Sequence, residues 1–162
     1  MLLDKIDKRL KKIKEKRDKE GDKENLYNER VKKFKSNLLL LLSYKIERQS
    51  DIALYSKLYM IIEQNGEALK DIYKYLEAYP SDVIKINNII DYYVPETYNI
   101  LKLFLVDPSE KKAQQIAIII EDTTILYLET LKRLKEPKNT QLDCSIKVFQ
   151  KFLSNDIFEN YK

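Results

Sequence analysis

Residues 107–135, DPSEKKAQQIAIIIEDTTILYLETLKRLK, decide the fold class. Ala113, Ile116, Ile120, Thr123, Tyr127, Leu131 and Leu134 recur every three or four positions, which is the spacing of one face of an α-helix and not the alternation of a strand. Asp107, Pro108, Ser109 and Glu110 read as N-cap, N1 proline and N3 glutamate, a chemistry that satisfies the orphan amides of a helix start. Lys132, Arg133 and Lys135 suit the negative end of the helix dipole. The pattern predicts a helix that runs to about Lys135.

Working outward, Thr140 to Asp143 form a second capping pattern ahead of Ile146, Phe149 and Leu153, which predicts a last helix over 142–154. Upstream, Ile100, Leu101, Phe104 and Leu105 keep helical spacing, as do Val83, Ile86, Ile90 and Tyr93; Pro95 between them predicts a kink or tight break at 91–95. Leu69, Ile72, Tyr73 and Leu76 define a helix that Gly66 separates from its predecessor. It must stop near Tyr79, because Pro80 disfavours helical geometry in the residue before it. Ser50 and Asp51 are N-cap candidates for a helix carrying Ile52, Tyr55, Tyr59 and Ile62, although one helix continuous through residues 48–52 fits as well. Tyr27, Val31, Phe34, Leu38, Leu41 and Leu42 predict a helix from about 23 to 48. Leu3, Ile6, Leu10 and Ile13 form a narrower stripe that meets Arg17 and Glu20 before Gly21 interrupts it. No segment alternates with period two. The expectation is an all-α antiparallel helical bundle of about five to six helices with coiled-coil-like spacing, kinked near Pro95, its body at 36–162 and a basic, partly ordered helical arm at 1–35.

Composition narrows the chemistry. The 162 residues, 44% of them hydrophobic, suffice for one domain that buries roughly two-thirds of its unfolded surface. Without histidine, Ser-His-Asp and Cys-His nucleophile activation and the usual Cys/His zinc sets are excluded. Glycine stands only at 21 and 66, so no glycine-rich phosphate loop or nucleophile elbow can be written. Glu121 and Asp122 point about 100° apart on a helix and cannot share one small ion. No catalytic, cofactor-binding or metal-binding residue is nominated. Cys144, alone in the chain, reads as a small buried apolar residue and fits a reducing compartment. The N-terminus MLLDKIDKRLKKIK has no uninterrupted apolar region, and the longest apolar run, Leu38 to Leu42, is far short of the ~20 residues of a membrane span. The reading is a cytoplasmic protein.

Charge is uneven. Residues 1–35 hold 14 Lys/Arg and 8 Asp/Glu, net +6, while residues 36–162 are net −2. Lys5, Lys8, Arg9, Lys11, Lys12 and Lys14 around the Leu3–Ile13 stripe are candidates for contact with an anionic membrane surface; the plainer alternative is a solvated, mixed-charge helix. Nucleic-acid binding through this arm is a third reading; base stacking by Tyr55, Tyr59, Tyr73, Tyr75, Tyr79, Tyr92, Tyr93 and Tyr98 is weaker, because Glu63, Glu67, Asp71, Glu77, Asp82 and Asp91 sit among them. Tyr92, Tyr93, Pro95 and Thr97 form a candidate partner notch, since a proline leaves a carbonyl of the preceding turn without its amide; the alternative is a kink with Tyr93 buried and Thr97 satisfying the backbone.

The stretches IYKYLEAYP at 72–80, DYYVPETYNILKL at 91–103 and DCSIKVFQKFL at 143–153 resemble signatures of the XpaC family, named for 5-bromo-4-chloroindolyl phosphate hydrolysis, over residues 55–157. Glu96 stands where that family usually carries a second threonine. The resemblance implies a helical domain in a bacterial stress or toxic-anion setting, with membrane spans ahead of the domain in many relatives and only the basic arm here. It carries over no catalytic residue. The expected function is a non-enzymatic interaction or adaptor module, peripheral to the inner face of the membrane, with a protein partner and homo-oligomerisation as options. A phosphate-ester hydrolase or its accessory protein is the alternative.

Overall fold

The computed structural model describes residues 2–47 and 55–160. Helix α1 is Leu2–Glu47 and α2 is Ser56–Ala78; a 3-10 segment, Pro80–Ile86, and a single π turn, Ile89–Tyr93, lead into α3, Val94–Phe104, and α4 is Glu110–Asn160. The described residues contain no strand, and the all-α bundle expected from the sequence is the observed fold. Leu42 of α1 meets α2 at Gly66, and Phe34 meets it at Tyr73, so the two helices run antiparallel. Tyr55 stacks edge-on against Phe104 at one end, while the chain reverses at Tyr79 and Pro80 at the other. Asn65 and Tyr75 of α2 reach α4 at Thr123 and Leu134 in that order, so α2 and α4 run the same way. The result is an up-down-up-down bundle around Phe34, Leu41, Leu69, Ile72, Leu76 and Tyr127, all fully buried.

Helix boundaries depart from the sequence reading at four points. Gly21 does not interrupt α1. The position is fully solvent-facing with nothing near a Cβ, and the roughly 1 kcal/mol that glycine costs a helix is offset by the good helix formers on both sides. Gly66 is interior to α2, where a Cβ would lie 3.1 Å from Leu42 Cδ2; its missing side chain lets α1 and α2 approach. The break expected between Lys135 and residue 142 is also absent. Pro137 sits within α4 on an exposed stretch, where water can take the carbonyl that a proline leaves unbonded. Asp107 is not the N-cap of α4: the Ser109 hydroxyl accepts from the Lys112 amide at 3.2 Å, and Asp107 pairs with Lys112 Nζ at 2.9 Å. Cys144 is exposed rather than buried, because α4 has left the core by then. The Ser50 and Asp51 caps and the continuity of residues 48–52 lie outside the described residues.

Core contacts of α1 begin at Tyr27 and Val31, ahead of the expected boundary at residue 35, and every described residue before Tyr27 is exposed. On α4 the last core residue is Leu134, and residues 139–157 are exposed. Both ends leave the bundle at the same place. Glu24, Tyr27 and Asn28 share a groove with Pro80 and Ser81, while Lys138 Nζ stands 4.9 Å from the Tyr79 ring centre and 4.0 Å from Asp82. Two helical arms, about 37 Å long on α1 and about 33 Å on α4 at 1.5 Å per residue, therefore project from one pole.

The two glycines have opposite expected responses. Gly21→Ala should raise the helicity of α1 and slow amide exchange in residues 2–26, by about 1 kcal/mol of local stability. Gly66→Ile should lower the global midpoint in urea by about 1–3 kcal/mol, because α1 cannot retreat without opening the core.

Candidate functional site

The kink expected at 91–95 is a π turn. In this register the Val94 amide bonds the Ile89 carbonyl, so the carbonyl of Ile90 falls to residue 95, a proline with no N–H. Asn37 of α1 supplies the donor, its Nδ2 lying 3.0 Å from Ile90 O. One turn on, the buried Thr97 donates its hydroxyl to Tyr93 O at 2.6 Å. The carbonyl that Pro95 leaves without an amide is thus met from within the protein. Of the notch residues, Tyr93, Pro95 and Thr97 face inward or are half-buried, whereas Tyr92 is 61% exposed and meets the Tyr93 ring edge-on at 5.4 Å.

Beside the π turn lies a charged cluster that sequence reading did not single out. Arg30 grips Asp91 with both terminal nitrogens, at 2.9 and 3.0 Å, and donates to Asn87 Oδ1 at 2.6 Å; Lys33 reaches the same carboxylate at 3.0 Å. Hydrogen bonds from Arg30 and then Lys33 hold the Asp91 carboxyl down at about 2. Arg30, Lys33 and Asn37 are spaced at three and four residues, so the signal was a polar stripe running beside the apolar one on α1.

A second cluster closes the pole from which the arms emerge. Asp82 is 6% exposed. Burial alone would raise its pKa, yet the Tyr75 hydroxyl at 2.6 Å and Lys85 at 3.2 Å, with the charge of Lys138, hold it below the ordinary carboxylate value. Burial, followed by the Asp82 partner, pushes the Tyr75 hydroxyl up. Tyr75 also lies 2.8 Å from Leu134 O, so this group ties α2, the 3-10 segment and α4 together where α4 leaves the core.

The six candidate cations are elsewhere. Lys5 to Lys14 are all exposed on the α1 arm, Lys14 about 24 Å along the helix from Arg30, so the structure does not bring them to the notch. At about 100° per residue, Leu3, Ile6, Leu10 and Ile13 share one face, Arg9 and Lys14 flank it on opposite sides with Asp7 beside Lys14, and Lys5, Lys8, Lys11 and Lys12 lie on the opposite half with Asp4, Glu15 and Asp18. Among the described residues no group of three or more Asp, Glu or Cys comes together as a metal site, and no helix is long and apolar enough to cross a membrane.

Two tests follow from the π turn and its charges. Asn37→Leu should cost about 1–3 kcal/mol by leaving a part-buried carbonyl unpaired, and should cost less in a Pro95→Ala background, where residue 95 regains an amide; urea midpoints of the four-chain cycle measure this. Asp91, depressed in the fold, contributes stability above its ordinary pKa of about 4 that is lost as pH falls toward about 2. Asp91→Asn should flatten that acid limb by less than about 1 kcal/mol, because the side chain is half exposed. Compared with known proteins, the chain matches no family model, no curated protein and no solved structure.

Proposed function

We propose that the chain is a non-enzymatic helical interaction module, XpaC-like in character, that attaches to the anionic inner face of a bacterial membrane through the α1 arm and presents its bundle to a protein partner. The observation that carries this reading is the arm itself. It is a helix with Leu3, Ile6, Leu10 and Ile13 on one solvent-facing stripe, Arg9 and Lys14 on its two flanks, and Lys5, Lys8, Lys11 and Lys12 on the polar face, with Asp4 among them and Asp7 beside Lys14. That is the layout of an interfacial amphipathic helix, whose apolar face enters the headgroup boundary while its cations meet lipid phosphates. Each cation contributes at most about 1 kcal/mol near an anionic surface, so the attachment is reversible and falls with salt.

Support for a non-catalytic role comes from the residue set: no histidine, two glycines in regular helix, and the buried Asp82 engaged with Tyr75 in joining elements of the bundle. The link to toxic-anion or stress resistance rests on the resemblance of residues 72–80, 91–103 and 143–153 to the XpaC signatures.

Cosedimentation tests the reading. The full chain should pellet with phosphatidylserine-containing vesicles at low salt, and release as salt rises. Exchanging Lys5, Lys8, Arg9, Lys11, Lys12 and Lys14 for glutamine should abolish binding, as should serine at Leu3, Ile6, Leu10 and Ile13, with the bundle's thermal transition unchanged because these side chains touch no core residue. A full chain that ignores such vesicles at low ionic strength would falsify the proposal. Turnover of a nitrophenyl phosphate with added divalent metal, lost in single Asp or Glu variants, would replace it with the hydrolase.

A further inference from the structure

The α4 arm has no role in that reading, and its surface is not that of a solvated helix. Leu142, Ile146, Phe149, Leu153 and Ile157 stand 45–66% exposed along one face, with Phe152 at its edge and Val148 farther round the helix. Lys147 and Lys151 fall on the opposite half of the wheel, Asp143 lies on the flank of the stripe, and Asp156 lies at its end. Residues 139–160 are net −1 with two lysines, so this arm lacks the cations that would seat it on an anionic surface.

We propose that this face binds the same face of a second copy, forming an antiparallel, twofold-symmetric helix pair. Three observations select that occupant. First, the stripe is self-complementary when reversed. Its residues sit at 142, 146, 149, 153 and 157, so an antiparallel copy places Leu142 against Ile157 and Ile146 against Leu153, with Phe149 half a residue from the twofold axis and next to its own counterpart. A twofold interface requires such reciprocity. Second, the area reaches what a specific contact needs: the five stripe residues expose on the order of 500 Å² of side chain on each copy, about 1,000 Å² for the pair. Third, the arm is clear of its own bundle, projecting about 33 Å from the pole, so two bundles joined through 16 overlapping residues, about 24 Å, need not collide. The α1 stripe is a poorer match, since Arg17 and Glu20 follow Ile13 at the next heptad-spaced positions.

Sedimentation equilibrium on the full chain tests the proposal. The chain should be a dimer at micromolar concentration, and Phe149→Glu, which places like charges together beside the twofold axis, should weaken association at least about tenfold. Circular dichroism should be unchanged, because residue 149 is exposed in the single chain. Orientation is read in a Cys144→Ser background: Ile146→Cys and Leu153→Cys chains should crosslink when mixed and hardly at all when separate. A monomer, or crosslinking of each chain with itself, overturns the antiparallel pair. So does a dimer that survives Phe149→Glu but is lost with Leu10→Ser, which would give the interface to the α1 arm.

Discussion

Pro95 gives no amide to the carbonyl of Ile90, and Asn37 of α1 gives one in its place. An unpaired carbonyl in a low-dielectric interior costs about as much as a lost hydrogen bond, so the π turn can be packed against α1 only with a donor at that point. Asn37 has one position along α1, and this fixes the register of the helix against the turn. Arg30 then falls two turns earlier on the same face, within reach of Asn87 and Asp91. Phe34, Leu38 and Leu41 fall on the adjoining face, toward α2 and the core. A polar stripe and an apolar stripe thus run side by side on α1, the first setting registry and the second supplying most of the burial energy.

At the other contact of α1, Gly66 decides distance rather than registry. With Leu42 3.1 Å from where a Cβ would be, α1 and α2 come as close as glycine permits. Asn65, the preceding residue, points the other way to the hydroxyls of Thr123 and Thr124 at 3.0 and 2.9 Å, each of which donates in turn to Ile120 O. One turn of α2 therefore spaces α1 on one side and aligns α4 on the other. The Tyr75 to Leu134 contact repeats that alignment a few turns later, at the pole.

These features show what could be read from sequence and what could not. The apolar stripes on α1, α2 and α4 were legible because helical burial leaves a period in the sequence itself. Thr97 as a backbone partner was legible because its acceptor lies four residues back. Asn37 was not, since its acceptor is 53 residues away and nothing near position 37 marks it. The misread boundaries share a cause. A glycine costs a helix about 1 kcal/mol and an interior proline about 3, and whether a chain stops depends on how strongly the flanking turns and the rest of the fold hold it. At Gly21 and Pro137 solvent is available to the backbone and the flanks are good helix formers; at Gly66 the fold gains from the close approach.

The two arms pose a final question of balance, because apolar stripes that emerge from one pole would be expected to zip onto each other within the chain. They stay exposed along their described lengths. The sequence near the pole supplies the reason. Between Ile13 and Tyr27 the heptad-spaced positions of α1 are Arg17, Glu20 and Glu24, and between Leu134 and Leu142 those of α4 include Lys138 and Gln141. A coiled coil grows outward from an existing contact, and the contact available here is the bundle itself. Pairing the arms from that end would first bury this polar interval, desolvating charges before any apolar gain. The interval therefore acts against the intramolecular pair and keeps the outer stripes, one cationic at its flanks and one nearly uncharged, available to separate surfaces.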